Sequence, residues 1–306
     1  MPLGLRVGIK NDACTIRKIW STEKNINNSA DKSLESVREF WERNPLWSGE
    51  TAFAQGTREF YEEHRRIVID DCFAGELDPR TMPSPKNSER VLDLGCGPGF
   101  WTVEIGKKIN RPLSAADLTD AAIALAKSRC TIFKVEAEFS KQNAEQLSFP
   151  SSVFTHVNCQ GVIHHTPDTL ACVGEIARVL KPEGTASISV YYKNIVLRNW
   201  KVLSWVGKAF FVFGAKLSGR GREDIFKQND VNEIVRIYDG GNNPIGKAYS
   251  KKEFRAMLEP HFEIEEIYFH FFPARSLPFS IPRSLHMFLD KRLPFMIYAT
   301  LRKKQY

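Results

Sequence analysis

The chain has 306 residues, 42% hydrophobic and 26% charged, which is enough apolar material for one large domain or a domain with a cap. Its six cysteines (Cys14, Cys72, Cys96, Cys130, Cys159, Cys172) lack C-x-x-C spacing, which argues against a zinc site or a disulfide framework and fits a reducing, cytoplasmic setting. No secretory leader is expected over Met1–Lys10, no run of about eighteen apolar residues would span a bilayer, and the net charge of +7 suits either anionic partners or a solvated basic surface.

In chain order, residues 1–30 read as a polar leader with weak periodicity. Leu34, Val37, Phe40 and Trp41 recur at helical spacing, and this helix should stop near Asn44-Pro45. Phe60, Tyr61, His64, Ile67 and Val68 repeat the pattern behind Thr57, a residue suited to cap a helix N-terminus. A linker over 81–88 follows. From Arg90 strands and helices alternate: strand 91–94, a helix through Lys108, strand 113–117, helix 121–129, a strand within 131–139, strand 153–159, helix 170–180 ended by Lys181-Pro-Glu-Gly184, and strand 185–191. Such alternation implies right-handed crossovers and an α/β fold, doubly wound, with a mainly parallel sheet. Residues 193–250 break the alternation and read as an inserted cap; a helix 251–258, a strand 264–272, a Pro-rich excursion and a strand 295–301 close the chain. The units are thus 1–88 (leader and lid helices), 89–192 (core), 193–250 (cap) and 251–306 (closing helix and strands).

The strongest motif is Val91-Leu-Asp-Leu-Gly95-Cys-Gly97-Pro-Gly99-Phe-Trp101, set where the first strand turns into a helix. Glycines there allow positive φ and close approach to a ligand, and the helix N-terminus offers free N–H groups. The third glycine of the dinucleotide fingerprint is replaced by Phe100, which argues against NAD or FAD. Asp117, about twenty residues on, supplies a carboxylate for ribose hydroxyls. An adenosyl ligand without phosphates suits this pair of features.

The runs VLDLGCGPGFW, AADLTDAAIALAKSR, NAEQLSF, GVIHHTPDT and EIARVLKPEGTASIS resemble the successive motifs of class I S-adenosylmethionine-dependent methyltransferases, in particular the group with the ubiquinone- and menaquinone-pathway enzymes. The resemblance covers about residues 90–191 and implies a seven-stranded, Rossmann-like sheet with an antiparallel closing hairpin. It implies S-adenosylmethionine as cofactor. Gly95, Gly97 and Gly99 would line the methionine part, and Asp93 would support the loop and the ligand's amino group. Asp117 would hold the ribose, with Leu118 against the adenine, Asn143 and Ala144 at its edge, and Gln160 beside the sulfonium. Asn143 departs from the aspartate common in the family, as Phe154-Thr155 does from Phe-Asp.

The chemistry is expected after the fourth strand. His164 and His165 sit where ligands bind in this architecture, beyond the carboxyl end of a strand, and a histidine can take a hydroxyl proton or hold an acidic group. Either one alone is as readily a packing or capping residue. Tyr191 and Tyr192 should point to opposite faces, one bordering the pocket. Trp101 reads as a packing residue. Arg236, Tyr238, Asp239, Asn242, Asn243 and Pro244 form a polar turn able to project over the site. Residues 195–213, with Arg198, Lys201, Ser204 and Lys208 on one side and Trp200, Trp205, Phe210 and Phe213 on the rest, would make a cap helix, a dimer contact or a membrane-surface helix. Gly219-Arg-Gly-Arg-Glu223 adds a basic turn. No metal site is expected. Three functions follow: methylation, with oxygen taken as nucleophile, of a small ring-bearing or lipid-like metabolite; modification of a tRNA wobble uridine, where Val162-Ile-His-His165 also has a parallel; and a non-catalytic adenosyl-binding regulatory subunit. Nucleic acid, a membrane surface and a second copy of the chain stay open as partners beside the small-molecule substrate.

Overall fold

The computed structural model describes residues 33–46, 48–202, 204–205, 225–277 and 279–305. The strands are β1 (Val91–Leu94), β2 (Leu113–Asp117), β3 (Ala137–Lys141), β4 (Phe154–Gln160), β5 (Leu180–Tyr192), β6 (Ala248–Tyr249), β7 (Phe262–His270) and β8 (Met296–Lys303). Seven of them run in the order β3-β2-β1-β4-β5-β8-β7, while the two-residue β6 pairs with β5. Strands β1 to β6 pair in parallel, and β8 is antiparallel to both β5 and β7. This is a doubly wound, Rossmann-like sheet closed by an antiparallel hairpin, as the motif resemblance implies. The order reverses between β1 and β4, so the loops leaving them diverge and open a crevice at their carboxyl ends.

The helices are α1 (Leu34–Arg43), α2 (Arg58–Ile67), α3 (Phe100–Ile109), α4 (Asp120–Phe133), α5 (Thr169–Val179), the short α6 (Ile195–Arg198), α7 (Val231–Tyr238), α8 (Lys251–Leu258) and α9 (Arg283–Arg292). Helices cover both faces of the core, which is why all four residues of β1 are buried. Caps fix several starts. Ser33 Oγ accepts from Ser36 N, Thr57 Oγ1 from Phe60 N, and Ser250 with Glu253 forms a capping box on α8.

Four local expectations are revised. Thr131–Phe133 complete α4 instead of opening a strand, because Ile132 and Phe133 pack against the buried Phe60 and Tyr61 of α2; β3 starts only at Ala137. Strand β5 already begins at Leu180, paired with Phe154, and the Lys181–Gly184 segment is absorbed as a register shift with Glu183 at φ +60°. Ala248–Tyr249 form a strand too short to carry any periodicity. Within the Pro-rich excursion lies α9, whose exposed Leu285, Met287 and Phe288 obscure an amphipathic pattern. Of the cap segment, Trp200 is buried, donating to the Gln228 carbonyl at 2.9 Å and stacking on Phe226, whereas Trp205 is exposed. Lys208, Phe210, Phe213, the basic turn 219–223 and the leader lie outside the described residues.

Candidate active site

The three loop glycines all have positive φ, at +73°, +50° and +76°, but their hydrogens face different things. A Cβ on Gly95 would meet the Val162 methyls at 2.3 Å, and one on Gly99 would meet the Ala126 backbone of α4 at 3.0 Å. A Cβ on Gly97 would meet nothing within 4 Å. Gly95 and Gly99 are therefore small for packing, and Gly97 for what lies in the open space above the loop.

Two carboxylates hold this loop. Asp117, at the end of β2, accepts from Gly97 N (3.0 Å), Thr119 N (3.0 Å) and Thr119 Oγ1 (2.8 Å). Its burial raises its pKa, more than those bonds lower it. Asp93 lies beneath, almost fully buried, accepting from Thr102 Oγ1 (2.6 Å) and Asn158 Nδ2 (3.0 Å). Burial, reinforced by the charge of Asp117, pushes its pKa up to about 6 against the pull of those two donors.

Above the loop is a mainly apolar cavity of about 370 Å³. Gly95, Gly97, Asp117, Leu118, Asn143, Ala144, Gln160, His164, His165 and Tyr191 line it, while Asp93 and Gly99 stand behind the wall. Asn143 spends its Oδ1 on Glu145 N, which shapes the turn after β3. Gln160 donates to Ser187 Oγ (2.8 Å) and Asn158 Oδ1 (3.2 Å), leaving Oε1 buried without a partner among the described residues. An adenosyl ligand fits this chemistry. The bare Gly97 gives it room, Asp117 stands at the strand end where hydroxyls are met, and Gln160 offers an orphaned acceptor.

At the far end of the cavity the polar turn after α7 meets the histidines. His165 Nδ1 lies 2.7 Å from the Ile245 carbonyl, so that nitrogen carries the proton, and Nε2 lies 3.2 Å from Asp239 Oδ2. Tyr191 donates its hydroxyl to the same carboxylate at 2.8 Å and 2.9 Å. His164 is 2% exposed, packed between the rings of His165 and Tyr191, and its Nδ1 has no hydrogen-bond partner among the described residues. Burial, helped by the charges of His165 and Lys247, lowers its pKa and keeps it neutral. Tyr192 takes the opposite face and packs on Phe269.

The rest of the wall comes from outside the core. Leu34, Val37 and Trp41 of α1 line the cavity, with Trp41 edge-on to His165 at 5.3 Å. Glu42 accepts from Asp120 N (2.9 Å) and Ala121 N (3.0 Å), a carboxylate seated on the N-terminus of α4. Helix α2 is clamped through the buried Arg129, which binds His64 Nδ1 (3.0 Å) and the Tyr61 carbonyl (3.2 Å); burial lowers its pKa to about 10. Trp101 lines the cavity and also packs edge-on to Phe73. Reading the sequence marked Asp239 only as part of a polar turn, and Trp41 only as a helix-face residue. The signal for Asp239 was its place in Tyr-Asp-Gly-Gly-Asn-Asn-Pro; Arg275 and Tyr298, also on the wall, carry no local signal.

A family model described as a methyltransferase domain matches residues 91–184. The chain is 33% identical over 102 residues to a ubiquinone biosynthesis O-methyltransferase of Xanthomonas campestris pv. campestris, covering 33% of this chain and 42% of that one. It is 30% identical over 134 residues to a demethylmenaquinone methyltransferase of Lactococcus lactis subsp. lactis, covering 39% and 52%. The chain thus spans about half the length of the curated relatives it matches, or less. Among solved structures, a Haloferax volcanii complex of the Trm112 methyltransferase activator with a methyltransferase is similar in fold: TM-score 0.54, 16% identity, 88% of this chain and 98% of that one.

Proposed function

We propose, from the premise that residues 91–184 are a class I S-adenosylmethionine-dependent methyltransferase domain, that the whole chain methylates a hydroxyl of a small, ring-bearing or lipid-like metabolite. The observation that carries this reading is the continuous apolar cavity joining the glycine loop to the His164–His165–Asp239 cluster. Its apolar walls suit a metabolite body, and its polar end suits one reacting group. When bound between Gly97, Asp117 and Gln160, S-adenosylmethionine would supply a sulfonium-activated methyl group for an acceptor oxygen.

The chain's own residues do the rest by alignment and exclusion of water. Gly97 and Asp117 fix the donor end, and Leu118, Asn143 and Ala144 form the adenine edge. Gln160 stands between the two ends. Trp41 and the α1 face close the cavity over the acceptor. The acceptor's proton leaves at this polar end, where His165 faces the Asp239 carboxylate that Tyr191 steadies. Asp93 acts as a positioning residue under the loop, and Gly99 as the seat of α4 against it.

The test is incubation with methyl-labelled S-adenosylmethionine and fractionated cell extract. Label in a solvent-extractable, RNase-resistant product supports the metabolite reading. Label destroyed by RNase replaces it with the tRNA reading, and absence of label beside tight cofactor binding with the regulatory one.

A further inference from the structure

We propose that His164, His165 and Asp239 bind a divalent transition-metal ion at the acceptor end of the cavity. One donor atom from each residue lies within 4.8 Å of the others. His165 Nε2 and Asp239 Oδ2 are 3.2 Å apart. Two ligand atoms each about 2.0–2.2 Å from an ion, at angles between octahedral and tetrahedral, are separated by about 2.8–3.6 Å. The pair is therefore already spaced as neighbouring ligands.

His165 and Asp239 are each oriented as a ligand is. His165 gives its other ring nitrogen to the Ile245 carbonyl, which fixes the tautomer with Nε2 free to coordinate. Asp239 is oriented by the Tyr191 hydroxyl. His164 is the independent sign: it is 2% exposed, yet its Nδ1 has no hydrogen-bond partner among the described residues. A proton shared by His165 and Asp239 would satisfy those two and leave that nitrogen unexplained. A cation drawing on one donor atom from each of the three residues would make use of the cluster as a whole.

Two imidazoles and one carboxylate select a zinc-like ion over magnesium or calcium, which take oxygen ligands. Three protein ligands leave at least one position open. An acceptor hydroxyl in that position loses its proton to solvent more readily, and the oxygen keeps the electron pair for methyl transfer. This use rests on the proposed methyl-transfer reading; the binding of the ion does not.

The experiment strips the purified full chain with chelator and titrates it with Co²⁺, following visible absorption, then displaces the Co²⁺ with Zn²⁺ by calorimetry. S-adenosylhomocysteine binding is measured on the same samples. Expected is one Co²⁺ per chain with nitrogen- and oxygen-type bands, displaced by Zn²⁺, and weakened at least tenfold by both His164→Ala and Asp239→Asn. The proposal is overturned by no saturable Co²⁺ binding in wild type, by a thiolate charge-transfer band that puts the ion on cysteine, or by binding that survives both substitutions. Variants that still bind S-adenosylhomocysteine are folded, so their loss of metal reports the site. Wild type that binds Co²⁺ but no adenosyl ligand sinks the methyl-transfer reading and leaves the metal site standing.

Discussion

The two ends of the cavity are built in opposite ways. The donor end comes from short motifs of the core: a glycine loop, the end of β2, the turn after β3 and the end of β4. Much of it is backbone, and each piece follows a strand of a sheet whose register is fixed. The acceptor end is made of side chains from α1, the loop after β4, the end of β5, the turn after α7 and the β7–β8 region. Its pieces are far apart in sequence, as in His165 with Asp239 or Trp41 with His165. The lesson is that one end is specified by local chain geometry and the other by long-range packing, so they should fail independently.

Substitution inside the glycine loop should separate ligand loss from fold loss most sharply. Gly97→Val fills open space at φ +50°, so cofactor affinity should drop at least about 100-fold with a stability loss of only about 1–2 kcal/mol from the left-handed backbone. Gly99→Val drives a side chain into the Ala126 backbone and should lower stability by about 3 kcal/mol or more. Calorimetric titration with S-adenosylhomocysteine beside chemical denaturation checks both; equal stability losses would erase the distinction.

Next in size, Asp117→Asn sets an amide against donors that now meet a carboxylate, and should weaken cofactor binding about 10- to 100-fold. At the acceptor end, Tyr191→Phe removes the hydroxyl on Asp239 and should cut kcat roughly tenfold while the cofactor Kd stays put. A parallel loss of cofactor affinity would show that the ends are coupled after all.

The smallest effect concerns the wall behind the acceptor end. His270 binds Asp290 (3.0 Å) and Asp78 (2.9 Å). Burial opposes its charge, but those two hydrogen bonds outweigh it and raise its pKa above 6.5. Its contribution is therefore fully present below about pH 6.5 and fades as pH rises through the raised value. His270→Gln should cost about 1 kcal/mol near pH 6 and less near pH 9, read as the wild-type-minus-variant difference in melting; a difference that grows with pH contradicts this assignment.

The same contrast explains what the sequence disclosed. Strands 91–94 and 113–117 and helix 251–258 were legible to the residue, because short apolar runs, a glycine turn and the Ser250–Glu253 cap are local signals. The end of α4 was misjudged because Ile132 and Phe133 answer to α2, a tertiary partner that no window reveals. Strand β6 exists only through its pairing with Tyr191 and Tyr192. His164, His165 and Tyr191 could be singled out from a motif and a strand end. That they converge on Asp239, 74 residues from His165 and 48 from Tyr191, depends on how the cap folds back.

Helix α1 has ten residues, below the roughly 12–15 at which an isolated helix holds itself in water. Its order is borrowed, from Glu42 on the N-terminus of α4 and from Trp41 against His165. Because α4 begins just beyond Asp117 and Leu118, the surface that lends this order is also the cavity's own wall. A molecule filling the cavity adds contacts to α1 and so subsidises its folding. Helix formation and cavity occupancy are then one equilibrium seen from two sides: hydrogen exchange in 34–43 should slow when the cavity fills, and loosening this helix should speed the departure of whatever lies beneath it.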